Sequence, residues 1–399
     1  MGWISLIKQF FTTIFLLAFA EVRAQFTLQL SIHAVPANHP DSGAIYLAGT
    51  FNNWNPSDEN FRMIKSNDGF YSIHVNVRQQ TGEYKLTRGG WDKVECATNG
   101  NDISNRKYDT GINELMGITI EGWKDKILPV RKTSTASKNV RIADTAFYMP
   151  QLKRYRVIRI YLPENYMVQR QNRYPVLYMH DGQNVFDDAT SFVGEWGVDE
   201  FLDTAKVKQC IVVAIDNGGT KRLNEYSPYD FTLNPQKPKE NKGEGQQYAD
   251  FLAKTLKPFI DKKYRTLKDR KNTYITGSSM GGLISLYAVL RYPNVFGGAG
   301  IFSPSVWICK KDLLNLIKTT GKKVNSMIYF YCGKLEGQGM VPDMLLAFQE
   351  LAAVSKSKMT TVIRDDGKHN EPAWRKEFPL FYTWIMYPNW SSKEIYRSH

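Results

Sequence analysis

The sequence predicts two folded regions, a small all-β sandwich followed by a larger α/β domain with a mostly parallel sheet. From residue 26 to about 123, short runs of alternating polarity such as 27–32 and 71–77 are separated by turn residues, as expected for short strands. From about residue 140, buried-type apolar runs alternate with stretches of helical spacing, which is typical of an α/β domain. A length of 399 residues is enough for two or three domains.

We divide the chain into four predicted segments. Residues 1–24 form an export signal, 25–125 the sandwich, 126–139 a linker and 140–392 the α/β domain. The linker is predicted because this stretch is polar and lacks apolar periodicity.

Composition excludes several classes of protein. Hydrophobic residues make up 42% and charged residues 23% of the chain, which excludes a largely disordered chain, a collagen-like fibre and a multi-span membrane protein. The formal charge is +13, but basic residues lie among acidic ones, so the surface is either simply solvated or attracts anionic polymers. No zinc-finger spacing, RNA-binding aromatic signature or long basic block occurs, and we expect no nucleic-acid partner.

The N-terminus has the three parts of a secretory signal. Lys8 provides a positive start, 10–20 is an apolar stretch, and 22–24 offers small residues for cleavage. The alternative, an uncleaved anchor, is disfavoured because the apolar stretch is too short to span a bilayer comfortably. We expect a secreted or periplasmic protein with no membrane attachment after cleavage.

The four cysteines are far apart in sequence: Cys96, Cys210, Cys309 and Cys332. Export permits disulfides, but we interpret these residues mainly as buried thiols. None of them has metal-ligand spacing, and we expect neither a metal nor an organic cofactor.

A strand, a glycine-rich turn and a helix follow one another at 273–288. The turn from Gly277 reads Gly-Ser-Ser-Met-Gly-Gly, which makes Ser279 the centre of a G-x-S-x-G motif. Such a turn projects the serine with strained backbone angles, and its glycines remove Cβ atoms that would clash. The helix N-terminus also places amide hydrogens beside the hydroxyl. Ser279 is therefore the candidate nucleophile, with a purely structural turn as the alternative.

A serine hydroxyl needs a base to act as a nucleophile. In chains with this motif the base follows the serine, and only His369 and the terminal His399 do so. His369 lies in a polar loop after the strand-like run 360–364. We predict that His369 is the general base.

A carboxylate should orient the imidazole and stabilise its cation. Glu336 follows the predicted strand 327–332 by a short loop, whereas Asp343 opens the next helix and is equally suited to capping it. We predict Glu336 as the acid and keep Asp343 as the second candidate. A Ser–His pair without a strong acid also remains open. The other carboxylates between the serine and the histidine are Asp312, Glu350, Asp365 and Asp366.

The oxyanion of an acyl-transfer reaction needs two backbone N–H donors. One should be Met280, directly after the nucleophile. The other should come from the loop 180–184, which follows the predicted strand 176–179, and we choose Gln183. His180 precedes the serine in sequence, so we interpret it as a residue that shapes this loop.

Together these residues resemble the putative-esterase branch of the α/β-hydrolases, which includes the enterochelin-esterase-like hydrolases and the family-1 carbohydrate esterases. The resemblance covers about 140–390. The motifs that carry it are HDGQNVFD from His180, GEWGVDE from Gly194, IDNGG from Ile215, NEYSP from Asn224, GSSMGG from Gly277, FSPSVW from Phe302 and the loop of His369.

This resemblance implies a cofactor-free serine esterase. The substrate would be a carbohydrate or phenolic ester, such as a feruloyl or acetyl ester, or alternatively a siderophore trilactone of the enterochelin kind. The acid of these relatives is often Asp in a G-x-x-D loop, where this chain has Glu336. Trp196, Tyr226 and Trp307 either line the substrate pocket or pack in the core.

The first region resembles an Ig-like starch- or glycogen-binding module. The motif IYLAGTFNNWNP from Ile45 resembles its opening, and EYKL from Glu83 resembles a later sugar-contacting strand. By this resemblance Trp54 and Trp91 would stack on glucose rings and Lys85 would bond to hydroxyls. The alternative is that Trp54 packs in the sandwich and the module only braces the esterase.

Two other functions remain open. The chain could be a glycan-binding protein whose hydrolase domain is inert, and the acyl group could pass to an alcohol instead of water.

Overall fold

The computed structural model describes residues 26–112, 116–127, 132–192, 194–233 and 240–389. The chain divides into two compact units between residues 131 and 132. The predicted export signal, 1–24, lies outside the described residues. In the part of the chain that is described, no helix has the length and apolarity needed to cross a bilayer.

The first unit is built from short strands in two main sheets. One sheet has the order β3-β4-β1-β8 and the other β2-β5-β7, with β6 and β9 as a separate pair. Alternate residues of β1 are buried, namely Leu28, Leu30 and Ile32, so the period-two pattern gives one core-facing side. The strands are β1 (Phe26–Ala34), β2 (Tyr46–Gly49), β3 (Ile64–Lys65), β4 (Tyr71–Val77), β5 (Thr81–Thr87), β6 (Glu95–Cys96), β7 (Arg106–Asp109), β8 (Met116–Thr119) and β9 (Gly122–Trp123).

The second unit contains one large sheet covered by helices and, separate from it, a pair of short antiparallel strands. Its strands are β10 (Val140–Met149), β11 (Arg154–Tyr161), β12 (Val176–His180), β13 (Ile211–Ile215), β14 (Phe231–Thr232), β15 (Glu240–Asn241), β16 (Thr273–Ser278), β17 (Gly298–Phe302), β18 (Met327–Gly333) and β19 (Lys358–Arg364). Its helices are α1 (Val198–Thr204), α2 (Arg222–Tyr226), α3 (Gly245–Phe251), α4 (Lys257–Lys263), α5 (Met280–Arg291), α6 (Lys310–Thr320), α7 (Met340–Val354) and α8 (Glu371–Met386).

The large sheet has eight strands in the order β10-β11-β13-β12-β16-β17-β18-β19. The pairs β10–β11 and β11–β13 are antiparallel, and the pairs from β13 to β19 are parallel. This confirms the predicted α/β domain with a mostly parallel sheet. The antiparallel edge made by β10 was not predicted, because its sequence mixes exposed and half-buried residues.

Both faces of this sheet are buried. Tyr178 of β12 belongs to the core that includes α5, whereas its neighbours Leu177 and Met179 belong to the core that includes α8. A strand buried on both faces is apolar throughout, which explains the continuous apolar runs in the sequence. All four cysteines are free and buried, as expected.

The described part of the predicted linker is bound to the second unit. Thr135 Oγ1 donates to Glu195 Oε1 at 2.9 Å, and the Ser137 amide donates to Asp199 Oδ2 at 2.7 Å. Residues 132–139 are therefore an ordered border of the α/β unit, although their polar sequence predicted a linker.

Candidate active site

Ser279 occupies the turn between β16 and α5. Its backbone has φ 59° and ψ −119°, a strained combination for a residue with a Cβ. The Ser279 amide donates to the Phe302 carbonyl at 2.9 Å, which ties the turn to the end of β17. A Cβ at Gly282 would lie 2.6 Å from the Phe302 oxygen, so glycine is needed there for this close approach.

His369 and Glu336 are brought together at the same edge of the sheet. Glu336 follows β18 and His369 follows β19, and His369 Nδ1 lies 2.9 Å from Glu336 Oε2. The Glu336 side chain is completely buried, whereas that of His369 is 35% exposed. This geometry fixes one ring nitrogen of the imidazole on the carboxylate and leaves Nε2 available to another group.

Each oxygen of Glu336 has a protein donor. Oε1 accepts from the Ser303 hydroxyl and from the Gly333 amide, both at 2.7 Å. Trp374 Nε1 donates in turn to Ser303 Oγ at 2.9 Å, and the Trp374 ring packs edge-on against His369. A chain of hydrogen bonds therefore positions the carboxylate that positions the imidazole.

Asp343, the second candidate for the acid, lies elsewhere. It is in the first turn of α7, where it accepts a hydrogen bond from Lys310 Nζ at 2.6 Å. Glu350 pairs with Lys318 on the neighbouring helix. Of the candidate acids, Glu336 is the one that contacts His369.

A cavity of about 290 Å³ opens beside Ser279 and His369. Its aromatic walls are Phe192, Trp196 and Trp374. Within the described residues, the hydrogen bond of Ser279 Oγ is to Ser305 Oγ at 3.2 Å, and none joins Ser279 to His369. Bonds between catalytic groups often form only when the substrate binds. The other lining residues are Asp181, Asn184, Asn217, Arg222, Ser278 and Glu371.

Charged groups in the cavity wall are held by specific partners. Arg222 makes two bonds to Asp181, at 2.6 and 2.8 Å. Burial alone would raise the pKa of Asp181, but Arg222 and Asn217 hold that pKa below its ordinary value. Burial also raises the pKa of Glu371, which accepts from Asn184.

His180 lies beneath the nucleophile turn. It is fully buried with its Nδ1 3.0 Å from the Tyr248 hydroxyl, and burial lowers its pKa to about 4. A Cβ at Gly277 would lie 3.0 Å from the His180 ring. This position agrees with the prediction that His180 shapes the loop.

The two predicted oxyanion donors lie at helix starts. Met280 is the first residue of α5, where the amide has no acceptor within the helix. Gln183 lies in the 3-10 turn Gly182–Asn184 after β12, and its side-chain Oε1 accepts from the Asn217 amide at 3.0 Å. Neither side chain lines the cavity.

Two of the three predicted pocket aromatics do not line this cavity. Trp196 does, but Tyr226 is completely buried, because it packs against His180 and Tyr248 in the core. Trp307 is 51% exposed on the short turn after Ser305. The prediction for Tyr226 as a pocket residue is therefore wrong, and Trp307 is a surface residue.

The predicted sugar-binding residues of the first unit differ in how accessible they are to a ligand. Trp54 and Trp91 lie together, with ring centroids 6.3 Å apart, and Trp91 is 46% exposed. Lys85 is buried and its ammonium group donates to the Ile103 carbonyl. Lys85 therefore holds a neighbouring loop, and the expectation that it offers a free donor to sugar hydroxyls is wrong.

Several residues of the site were not singled out as functional residues from the sequence. Ser303 and Ser305 lie inside the FSPSVW motif, and Trp374 follows His369 closely. Their positions in the sequence do not predict their contacts, since each hydrogen bond joins residues from different elements of the fold.

The comparisons agree with this architecture. Residues 150–381, more than half of the chain, match the family model described as Putative esterase. An endo-1,4-beta-xylanase/feruloyl esterase of Xylanibacter ruminicola is 25% identical over 240 residues, 59% of this chain and 30% of the relative. The ferri-bacillibactin esterase BesA of Bacillus subtilis is 28% identical over 180 residues, 41% of this chain and 60% of the relative.

Two further similarities extend beyond that region. An alpha-amylase of Niallia circulans is 39% identical over 95 residues, 23% of this chain and 7% of the amylase, a length that fits the first unit. The solved enterochelin esterase of Shigella flexneri is 15% identical, with a TM-score of 0.53 over 91% of this chain and 93% of that one. It shares the fold. The chain belongs to the Putative esterase family of α/β-hydrolases.

Proposed function

We propose that this protein is a serine esterase in which Ser279 is the nucleophile, His369 the general base and Glu336 the acid. The observation that carries the proposal is the 2.9 Å bond from Glu336 to His369 beside a cavity that also holds the strained Ser279. Such a carboxylate selects the imidazole tautomer whose Nε2 can accept a proton.

The reaction would follow from these positions. Ser279 Oγ attacks the ester carbonyl carbon while its proton passes to His369 Nε2. The amides of Met280 and Gln183 would stabilise the resulting oxyanion. Collapse breaks the bond to the leaving alcohol, which takes the proton from His369. Water then attacks the acyl-enzyme with the same histidine as base, or an alcohol does so if the enzyme transfers acyl groups.

For the substrate, we propose a carbohydrate or phenolic ester such as a feruloyl or acetyl ester. Support comes from the aromatic cavity walls Phe192, Trp196 and Trp374, which suit the flat faces of phenolic rings and sugars. A relative named as a feruloyl esterase and the amylase-like match add to this. In the first unit, the exposed Trp91 and its neighbour Trp54 would bind the polysaccharide.

A siderophore trilactone is the second candidate substrate. The relative BesA is named for a siderophore ester, and the formal charge of +13 would attract an anionic iron complex. Turnover of methyl ferulate, acetylated xylan and a siderophore trilactone, measured on one preparation, distinguishes the candidates by kcat/KM.

The serine mechanism is tested with Ser279→Ala and p-nitrophenyl acetate. We expect kcat to fall at least about 10³-fold and labelling by a fluorophosphonate to disappear. Ser285→Ala is the matched control, because Ser285 is a buried serine of α5 that bonds to the Gly281 carbonyl. Unchanged hydrolysis by Ser279→Ala would refute the assignment.

The same label separates the enzyme from a glycan-binding protein with an inert hydrolase domain. That alternative predicts sedimentation with insoluble polysaccharide and no labelling at Ser279. We also propose that the chain is secreted or periplasmic, which N-terminal sequencing of the exported protein would test through cleavage after residue 24.

A further inference from the structure

Three carboxylates meet at the start of α1, outside the catalytic groups. Glu195, Asp199 and Glu200 each offer an oxygen, and these three oxygens lie within 4.8 Å of one another. Glu195 is 5% exposed and Asp199 completely buried. All three residues lie in the GEWGVDE motif that begins at Gly194.

Protein donors satisfy one oxygen of Glu195 and one of Asp199. Thr135 Oγ1 donates to Glu195 Oε1 at 2.9 Å, and the Ser137 amide donates to Asp199 Oδ2 at 2.7 Å. The Arg375 guanidinium lies 3.5 Å from Glu195 Oε1 and 3.7 Å from Glu200 Oε1. These groups approach Glu195 Oε1, Asp199 Oδ2 and Glu200 Oε1, that is, one oxygen of each carboxylate.

The second oxygen of each carboxylate is different. Glu195 Oε2, Asp199 Oδ1 and Glu200 Oε2 are buried from solvent and have no hydrogen-bond partner among the described residues. A buried carboxylate oxygen without a partner is costly. In the described structure Arg375 pairs with two of these acids, Glu195 and Glu200, so one positive charge lies beside a cluster of three carboxylates.

Burial and repulsion between the acids act in the same direction. They raise the pKa of Glu195 and of Asp199 above its ordinary value. A cation bound among the three carboxylates would offset both effects.

We infer that Glu195, Asp199 and Glu200 bind a divalent cation of the calcium type. Calcium takes oxygen ligands at about 2.4 Å, so two ligands on opposite sides of the ion are about 4.8 Å apart. The separations in the cluster are within that limit. The donor set contains oxygen alone, with neither histidine nor cysteine, which favours a hard cation over zinc or copper.

The proposed cation site is adjacent in sequence to residues of the cavity wall, so a bound cation would stabilise that wall. Trp196, which lines the cavity, follows Glu195 directly, and Arg375 follows the cavity residue Trp374. A Cβ at Gly197, which has φ +60°, would lie 2.4 Å from Arg375 Cζ, so the two segments are closely packed. Bound calcium would hold 195–200 against the start of α8 and thereby fix the aromatic wall.

The test measures binding directly, without turnover, so its failure would leave the proposed esterase unaffected. The purified chain is stripped with EDTA, desalted and titrated with Tb³⁺, whose emission is sensitised by nearby tryptophan such as Trp196. We expect one Tb³⁺ per chain, displaced by Ca²⁺. At a Ca²⁺ concentration about 100 times the dissociation constant, the unfolding temperature should rise by about 5–10 °C.

Variants locate the site. Asp199→Asn and, as a second variant, Glu195→Gln should each weaken Ca²⁺ binding at least tenfold, with an unchanged circular dichroism spectrum. Asp203→Asn is the matched control, because Asp203 is an exposed acid of the same helix that bonds to Asn139 and Tyr161. It should bind Tb³⁺ like wild type.

Two results would overturn the inference. One is an unfolding temperature that does not respond to millimolar Ca²⁺ in the stripped wild type, which would mean that the carboxyl groups share protons instead. The other is Tb³⁺ binding that survives in both Asp199→Asn and Glu195→Gln.

Discussion

Glu336, the proposed catalytic acid, and the cluster acids Glu195 and Asp199 are all buried. They differ in how many of their carboxylate oxygens have a protein donor. Glu336 receives donors from Ser303, Gly333 and His369. The cluster leaves one oxygen of each carboxylate without a partner. A carboxylate that only orients a neighbouring side chain can be fully satisfied by the protein. The oxygens that lack a protein donor are the ones for which we infer a bound cation.

Asp181, like Glu336, is a buried carboxylate whose two oxygens both have protein donors, and one of these donors is a cation. Its two oxygens accept three bonds, two from Arg222 and one from Asn217. The pair lies in the wall of the cavity beside Ser279, and both carboxylate oxygens of Asp181 have protein donors there, unlike those of the cluster.

The largest effect is expected for Glu336→Gln. The amide can no longer stabilise the imidazolium and can donate to Nδ1, which favours the wrong tautomer, so kcat should fall about 10³- to 10⁴-fold. Steady-state kinetics with p-nitrophenyl acetate measure this, with Glu350→Gln as the control because Glu350 pairs with Lys318. A loss below about tenfold would mean that the acid lies elsewhere.

Arg222→Gln should have the next largest effect, on stability. It leaves the buried Asp181 charge without its cation, which costs about 3 kcal/mol. Since the pKa of Asp181 is held low in the folded wild type, this stabilisation is present above the unfolded pKa of about 3.9 and lost as the pH falls through the folded value.

The difference in stability between wild type and Arg222→Gln should therefore be full at pH 7 and shrink toward pH 3. Denaturant unfolding at several pH values measures it. A difference that is constant with pH would contradict the role given to the Asp181 charge.

The smallest effect is expected for the double variant Glu195→Gln/Asp199→Asn in EDTA. Both amides can still accept from Thr135 and Ser137, and the repulsion between the carboxylates is removed. The free energy of unfolding should therefore rise by about 1 kcal/mol, and the unfolding temperature by about 2–4 °C. Thermal unfolding in EDTA measures the change. A marked fall would show that the carboxyl groups stabilise one another, and the contrast with Glu336 would then fail.

The sequence predicted those parts of the site that depend on local order. The strand, glycine turn and helix around Ser279 are contiguous, so their geometry follows from a few neighbouring residues. The α/β class was also predictable, because strands buried on both faces are continuously apolar.

Contacts between distant strand ends were not predictable in the same way. Ser303 donates to Glu336 and Trp374 donates to Ser303 from separate elements, and nothing in their local sequence indicates this. The predictions for Tyr226 and Lys85 were wrong for a related reason. The identity of an aromatic residue or a lysine does not show whether its side chain is buried or exposed. Their burial is decided by the tertiary packing around His180 and the Ile103 loop.

The hydrogen bond between Ser279 and Ser305 has a consequence for how the free protein reacts. When Ser279 is the donor in this bond, its hydroxyl must turn away from Ser305 before it can transfer its proton to His369. Breaking one neutral bond of this kind costs about 0.5–1.5 kcal/mol, and side-chain rotation takes picoseconds to nanoseconds. The bond would therefore lower kcat/KM by at most about tenfold, and its rearrangement would be too fast to limit turnover.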